Sequence, residues 1–148
     1  MYREIEHKAD ISYEIEAQNF EEFLKDVVEI LLENSTIFST NSERFEAIEE
    51  INKDEKNRND FINSDLESLL EKCYNINNEN QNYEDFVFDL VNDIISMIDR
   101  SFYPKKVKGF CVYFSKAHIS CKIKALTYHR FFVKYEGNKL HARMVFDV

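Results

Sequence analysis

The spacing of the apolar residues changes twice along the chain, and these changes limit the folds that it can adopt. Residues 10–17 alternate between apolar and polar side chains, which is typical of a half-buried strand. Residues 20–34 and 83–100 repeat apolar side chains at helical spacing. Beyond Pro104 the period returns to two, and the strands that this pattern predicts cover residues 107–115, 118–126, 130–135 and 139–147. We therefore predict an α+β fold, a two-layer sandwich in which two main helices cover a mainly antiparallel sheet.

Short sequence signals mark the ends of two of these elements. Asn19 and Glu22 have the spacing of a capping box before the first helix. Gly137 and Asn138 separate the last two predicted strands. Because glycine comes first in this pair, we predict a hairpin with a type II′ turn.

The segment between the two helices is polar and differs from its surroundings. Its short amphipathic pieces contain Phe45, Ile48 and Ile51 in one case, and Leu66, Leu69, Leu70 and Cys73, behind Ser64 and Glu67, in the other. A chain of 148 residues is long enough to form one well-buried core. We therefore predict a single domain over residues 1–148, with a polar, partly helical insertion at about residues 35–82.

The cysteines and the chain start indicate the compartment. Cys73, Cys111 and Cys121 are an odd number and form no CxxC pair, so we expect no disulfide and a reduced, cytoplasmic protein. The first ten residues contain no apolar signal region, and Asp89 and Asp93 interrupt the second helix. We expect neither a signal peptide nor contact with a membrane.

Charge is distributed unevenly along the chain. The net charge is −9, which argues against autonomous binding to nucleic acid. The acidic residues are concentrated before residue 104, whereas residues 104–148 are strongly basic and contain the aromatic residues Phe131, Phe132 and Tyr135. An adaptor that binds RNA through these strands is therefore an alternative, although the aromatic residues are more typical of a sheet and its core.

The stretch IKALTYH, residues 123–129, interrupts a strand pattern. Continued alternation after Ala125 would place Thr127 and His129 in the core, where an unpartnered polar group costs about 1–3 kcal/mol. We therefore predict a bulge or a strand end near Leu126, and bulges are common beside functional sites. The alternative, that both side chains only satisfy local backbone groups, remains open from the pattern alone.

Acidic groups occur at the start of the first predicted strand and at the end of the last. If these two strands lie together, Asp10, Asp147 and the α-carboxylate of Val148 would meet at one place. A hard divalent cation would relieve their repulsion, and calcium accepts such oxygen ligands most readily. Magnesium or manganese would require stricter geometry.

Four blocks occur in an order that resembles the archease family: EHKAD, DFVFDLVNDII, IKALTYH and EGNKLHARMVFDV. This resemblance implies a non-catalytic accessory protein of the tRNA-splicing RNA ligase, the enzyme that joins 3′-phosphate or 2′,3′-cyclic phosphate ends to 5′-hydroxyl ends. The accessory protein promotes guanylylation of the ligase and repeated turnover. With this role we expect the protein to contact RNA only weakly or indirectly.

The resemblance assigns roles to individual residues. It implies Asp10, Asp147 and Val148 as metal ligands and Lys124 as a functional cation. Thr127, Tyr128 and His129 belong to the matching KALTYH segment and are further candidates, and His7 beside the first strand is another. The chain departs from the family in having Lys122 where glutamate is frequent, and in lacking a tryptophan in the second helix.

A second class of function is kept open. A stand-alone metal-dependent phosphoesterase could use His7 or His129 as its general base. The sequence contains no HExxH motif, nucleophile elbow or phosphate-binding loop, so the accessory role is preferred.

Overall fold

The structure is a computed structural model that describes residues 1–5, 10–38, 69–75 and 82–148. Its elements in chain order are β1 (Tyr2–Ile5), β2 (Asp10–Ala17), α1 (Phe20–Glu33), β3 (Ser35–Ile37), β4 (Leu70–Cys73), α2 (Tyr83–Asp99), β5 (Phe102–Lys108), β6 (Cys111–Lys116), β7 (Ile119–Cys121), β8 (Ala125–Glu136) and β9 (Lys139–Asp147). The α+β class and its two covering helices are confirmed. His7 and the amphipathic piece around Ile48 lie outside the described residues.

A four-stranded antiparallel sheet, ordered β1-β2-β9-β8, contains both ends of the chain. β2 pairs with β9 along its whole length, from Asp10 opposite Asp147 to Ala17 opposite Leu140. Alternate residues of both strands are buried, because one face of the sheet packs on the core. The buried residues of these two strands on that face are Tyr13, Ile15, Ala17, Leu140, Ala142, Met144 and Phe146.

The two helices begin at asparagine caps and bury their apolar sides in the same core. The Asn19 side chain accepts a hydrogen bond of 2.9 Å from the Glu22 backbone N–H, as its spacing predicted. The Asn82 side chain accepts one of 2.9 Å from the Glu84 N–H. The fully buried helix residues are Phe23, Leu24, Val27, Ile30 and Leu31 in α1, and Val87, Val91, Ile94 and Ile98 in α2.

The remaining described strands form two smaller sheets, ordered β4-β6-β5 and β3-β7. The strand predicted over residues 107–115 is therefore wrong: the chain turns at Gly109, which has a φ of 61°, and becomes β5 and β6. The strand predicted over residues 118–126 is also divided. β7 pairs with β3, whereas β8 starts at Ala125 and pairs with β9.

Two local predictions fail for identifiable physical reasons. Residues Leu70–Cys73 form a strand and not a helix, because the edge of β6 supplies backbone partners that outweigh a short helical pattern. The β8–β9 hairpin is present, but Gly137 and Asn138 both have positive φ, 58° and 67°. That combination is a type I′ turn, which asparagine also accepts, and not the expected type II′.

The expectation that the chain has no disulfide is wrong. Cys73 of β4 and Cys111 of β6 are directly opposed in the antiparallel pair, and their sulfurs form a disulfide across 38 residues of sequence. Cys121 is a free cysteine. Among the described helices, none is long and apolar enough to cross a membrane.

Candidate functional site

Three strands of the four-stranded sheet bring the predicted site residues to one end. Asp10 is the first residue of β2, Asp147 is the last of β9, and the two are opposed in the ladder. Opposed residues of an antiparallel pair place their side chains on the same face, with Cβ atoms about 4.5–5.5 Å apart. On the other side of β9, Ala125 of β8 lies opposite Asp147. The register of three strands therefore determines where Asp147 stands.

Lys124 and Val148 adjoin this pair through the backbone. The Lys124 N–H donates a hydrogen bond of 2.7 Å to the carbonyl oxygen of Asp147, which ties the start of β8 to the end of β9. Val148 follows Asp147 directly and is 39% exposed. Asp10 is half-buried, and the Lys124 side chain is exposed. The structure thus places Asp10 on one side of Asp147 and Lys124 on the other, with Val148 next in the chain.

The next row of the same sheet face is neutral and closely packed. Ser12 is 5% exposed and lies opposite Val145, which is 3% exposed. The Thr127 hydroxyl donates a hydrogen bond of 3.1 Å to the carbonyl oxygen of Val145. Thr127 therefore has a structural role in the row next to the two aspartates, of which Asp10 is half-buried and Asp147 is exposed.

The following row of this sheet face contains two arginines, and both already bind the carboxylate of Glu14 in the same row. The Glu14 carboxylate accepts hydrogen bonds of 2.6 Å from Arg143 and 2.8 Å from Arg3. These two hydrogen bonds, first that from Arg143, hold the pKa of Glu14 below its usual value. None of the salt bridges between described residues involves Asp10 or Asp147.

The groups at the sheet end fit a hard divalent cation by their donor chemistry. Asp10, Asp147 and the α-carboxylate of Val148 offer oxygen atoms only, which are the ligands that calcium and magnesium prefer. Two of the three residues are fixed by a continuous strand ladder. The roles of these residues as metal ligands remain predictions.

The predicted bulge after Leu126 is confirmed. The register between β8 and β9 shifts between Thr127 and Phe132, and Arg130 within the shift has a φ of 55°. His129 is exposed in this bulge. Thr127 precedes the shift and already lies outside the core, because β7 ends at Cys121 and the new strand, β8, begins with Ala125 opposite Asp147 on the outer face.

Tyr128 contacts the second helix. Its ring stacks on Phe88 of α2 with centroids 3.8 Å apart, and its hydroxyl donates a hydrogen bond of 3.4 Å to Asp85. Desolvation, followed by the negative charge of Asp85, raises the pKa of Tyr128. Tyr128 is nevertheless 60% exposed, so it offers an accessible ring at the edge of the sheet.

Asn92 supports the site and was missed by the sequence reasoning. Its side-chain oxygen accepts a hydrogen bond of 2.8 Å from the Leu126 N–H, and its amide group donates one of 3.4 Å to the Leu126 carbonyl. Leu126 lies between Ala125 and Thr127, so this pair of bonds fixes β8 where it adjoins Asp147. The signal in the sequence was Asn92 itself, a polar residue directly after Val91 among the apolar residues of the second helix.

Comparisons with known proteins agree with one another. Residues 2–148 match the model of the archease protein family. The protein archease of Thermotoga maritima is 31% identical over 153 residues, which cover 99% of this chain and 99% of that protein. A crystal structure of an archease from Thermotoga maritima, described as a possible chaperone, matches with a TM-score of 0.62 and 30% identity, covering 100% of this chain and 98% of that one. The chain therefore belongs to the archease family.

Proposed function

We propose that this protein is an accessory factor of a tRNA-splicing RNA ligase, and that it promotes guanylylation of the ligase and multiple turnover. Membership of the archease family supports an accessory role. The observation that carries the proposal is the opposition of Asp10 and Asp147 in the β2–β9 ladder. This opposition puts two carboxylates side by side, and they belong to the residues that the resemblance to archeases implies as metal ligands.

In this proposal Asp10, Asp147 and the Val148 carboxylate hold a divalent cation, calcium in the first instance. The bound cation supplies positive charge for a phosphate group or an acidic group of the ligase. Lys124, whose backbone is tied to Asp147, presents a second positive charge beside it. Thr127 and Asn92 position β8, so they act on the site through the strand and not by contact with the cation.

An activator must bind the reactive state of its partner more tightly than the unreactive state, because equal affinity would shift no equilibrium. A rigid site suits this requirement. The ladder and the packed row below it hold Asp10 and Asp147 in one arrangement, so that only a ligase state presenting a matching group gains the interaction.

The test is a ligation assay with the cognate ligase under multiple-turnover conditions. Asp10→Ala and Asp147→Ala should each abolish stimulation, and both should weaken calcium binding measured by titration calorimetry. Asp99→Ala is the matched control, because it removes an exposed aspartate at the end of α2 and should leave stimulation and calcium binding unchanged. Full stimulation by both site variants would refute the proposal.

The phosphoesterase alternative predicts a different result in the same preparation. Purified protein alone would hydrolyse phosphate esters, and Asp10→Ala would abolish that hydrolysis. We expect no hydrolysis above the level of an Asp10→Ala sample. Hydrolysis that depends on Asp10 would replace the accessory role by an enzymatic one.

A further inference from the structure

The Cys73–Cys111 disulfide lies on the outer face of the three-stranded sheet. Lys72 and Val112 are opposed one position away, and Val112 is fully buried. Since successive residues of a strand point to opposite faces, Cys73 and Cys111 point away from the core. Cys73 is exposed and Cys111 is half-buried. The Cys73 sulfur lies 3.2 Å from the Glu71 carboxylate, on the same outer face.

We propose that Cys73 and Cys111 form a reversible thiol–disulfide site that exchanges with small thiols and disulfides such as glutathione. Exchange requires a thiolate to reach a sulfur of the bond, so exposure decides whether a disulfide reacts. Cys73 is an exposed residue on the outer face of the sheet, whereas a disulfide inside the core would be out of reach of a thiolate. The inference concerns the cysteines alone and does not depend on the ligase.

Reversibility follows from contacts that hold β4 on β6 without the disulfide. The two strands pair from Leu70 opposite Phe114 to Cys73 opposite Cys111. Beyond the strand, the Tyr74 N–H donates a hydrogen bond of 2.8 Å to the Phe110 carbonyl. The backbone pairing therefore keeps the two thiols opposite each other after reduction, ready to form the bond again.

A second set of contacts attaches the same segment to α2. Lys72 donates a hydrogen bond of 2.7 Å to the Asp93 carboxylate, and the Tyr74 hydroxyl donates another of 2.7 Å to the same oxygen. These contacts lie on the helix-facing side of β4, opposite the cysteines. They do not involve sulfur, so reduction leaves them in place.

The exchange balances in two steps. A thiolate attacks the Cys73 sulfur, forms a mixed disulfide there and expels the Cys111 thiolate. A second thiolate attacks the outer sulfur of the mixed disulfide, releases a small-molecule disulfide and leaves the Cys73 thiolate. Two electrons pass from the two thiols to the protein disulfide, and the two protons released by the thiols can protonate the cysteines. Oxidised glutathione reverses both steps.

The consequence of exchange is a change in how β4 is held. In the oxidised protein a covalent bond joins β4 to β6, and the closed loop between the cysteines contains α2 and β5. In the reduced protein only the ladder and the Asp93 contacts remain. An edge strand held in this way opens more often, and amide hydrogen exchange reports such opening.

The test uses the full chain in buffers with different ratios of reduced to oxidised glutathione. Free thiols are labelled with a maleimide and located by mass spectrometry. We expect Cys73 and Cys111 to convert together and completely in both directions, and the amides of residues 70–74 to exchange faster in the reduced form than in the oxidised form. Amide exchange in β9 should not change.

Two variants identify the sulfur that is attacked. Cys111→Ser should accumulate one glutathione adduct on Cys73, because the opposed cysteine that would resolve it is missing, and this adduct should form faster than the adduct on Cys111 in Cys73→Ser. Cys121→Ser is the control and should cycle like the wild type.

Three results would overturn the inference. A bond that persists in excess reduced glutathione would make it a permanent cross-link. Thiols that stay free in excess oxidised glutathione would show that the pair does not form. Zinc that binds the reduced protein and blocks reoxidation would indicate a metal site instead, because Glu71, Cys73 and Cys111 offer ligand atoms within 4.8 Å of one another.

Discussion

The four-stranded sheet and the three-stranded sheet are both attached to α2, but by different forces. Neighbouring residues of the helix serve the two regions: Asn92 binds β8 of the larger sheet, and Asp93 binds β4 of the smaller one. The larger sheet is otherwise held by long strand ladders over a buried apolar face. At β4 the ladder is short, and an ion pair, a hydrogen bond and a disulfide secure it.

This difference explains why the candidate site lies in the larger sheet. A slip of one residue between β2 and β9 would turn every side chain of the slipped strand to the opposite face and expose Phe146 and Met144. The cost of that exposure fixes the register, and the register places Asp10 opposite Asp147. Apolar packing on one face therefore holds the carboxylates in position on the other.

Removing apolar packing beside the site should have the largest effect. Phe146 is fully buried and lies next to Asp147. Its ring contacts the Tyr13 ring edge-on, with the ring centroids 6.2 Å apart. We expect Phe146→Ala to lower the free energy of unfolding by about 3–5 kcal/mol, through lost burial and the cavity that remains. Denaturant unfolding followed by circular dichroism measures this change.

The matched control is an aromatic residue of the smaller sheet. Phe110 lies in the turn between β5 and β6 and is 46% exposed. Phe110→Ala should change the free energy of unfolding by no more than about 0.5 kcal/mol. Equal losses from the two substitutions would contradict the view that burial of the Phe146 ring stabilises the fold beside the site.

An intermediate effect is expected where α2 holds the larger sheet. Asn92→Ala leaves the N–H of Leu126 without its acceptor, and Leu126 is 2% exposed. An unsatisfied buried donor costs about 1–3 kcal/mol, and we expect a loss of stability in that range. Because β8 adjoins Asp147, ligase stimulation should also fall.

Asn92→Asp distinguishes the two hydrogen bonds that Asn92 makes. A carboxylate still accepts from the Leu126 N–H but no longer donates to the Leu126 carbonyl, and that donated bond is the longer one, 3.4 Å. The aspartate variant should therefore lose less stability than the alanine variant. A greater loss in the aspartate variant would assign the main role to the donated bond.

The sequence predicted the larger sheet better than the smaller one for a physical reason. β2 and β9 are long enough for alternation to establish both their type and their bounds, Asp10–Ala17 and Lys139–Asp147. Leu70–Cys73 is a strand of four residues, and such a short piece fits a helical pattern equally well. Its strand form depends on a partner, β6, that is distant in sequence.

The same limit applies to the candidate site and to the cysteines. The meeting of Asp10 and Asp147 could be predicted once the pairing of the outermost predicted strands was assumed. The roles of Asn92 and Asp93 could not, because they depend on how α2 is rotated against two sheets. The Cys73–Cys111 bond was missed because counting cysteines carries no information about which strands are neighbours.

The smallest effect is expected at Asp93, and it should depend on pH. Burial alone would raise the pKa of Asp93, but hydrogen bonds from Lys72 and Tyr74 outweigh burial and hold the pKa below its usual value. A carboxyl group with a lowered pKa in the folded state stabilises the protein above its unfolded pKa, about 3.9, and loses this contribution as pH falls through the folded value. Asp93→Asn should cost about 1 kcal/mol at pH 7 and progressively less below about pH 4, as measured by denaturant unfolding at each pH.

Asp99→Asn is the control for charge alone, because Asp99 is exposed at the end of the same helix, and it should not remove this pH dependence. A cost of Asp93→Asn that is constant with pH would show that the carboxylate charge is unimportant.

The disulfide provides the final comparison. While Cys73 is bonded to Cys111, β4 stays attached after Asp93 is replaced, so hydrogen exchange at Tyr74 should rise more in the reduced variant than in the oxidised one.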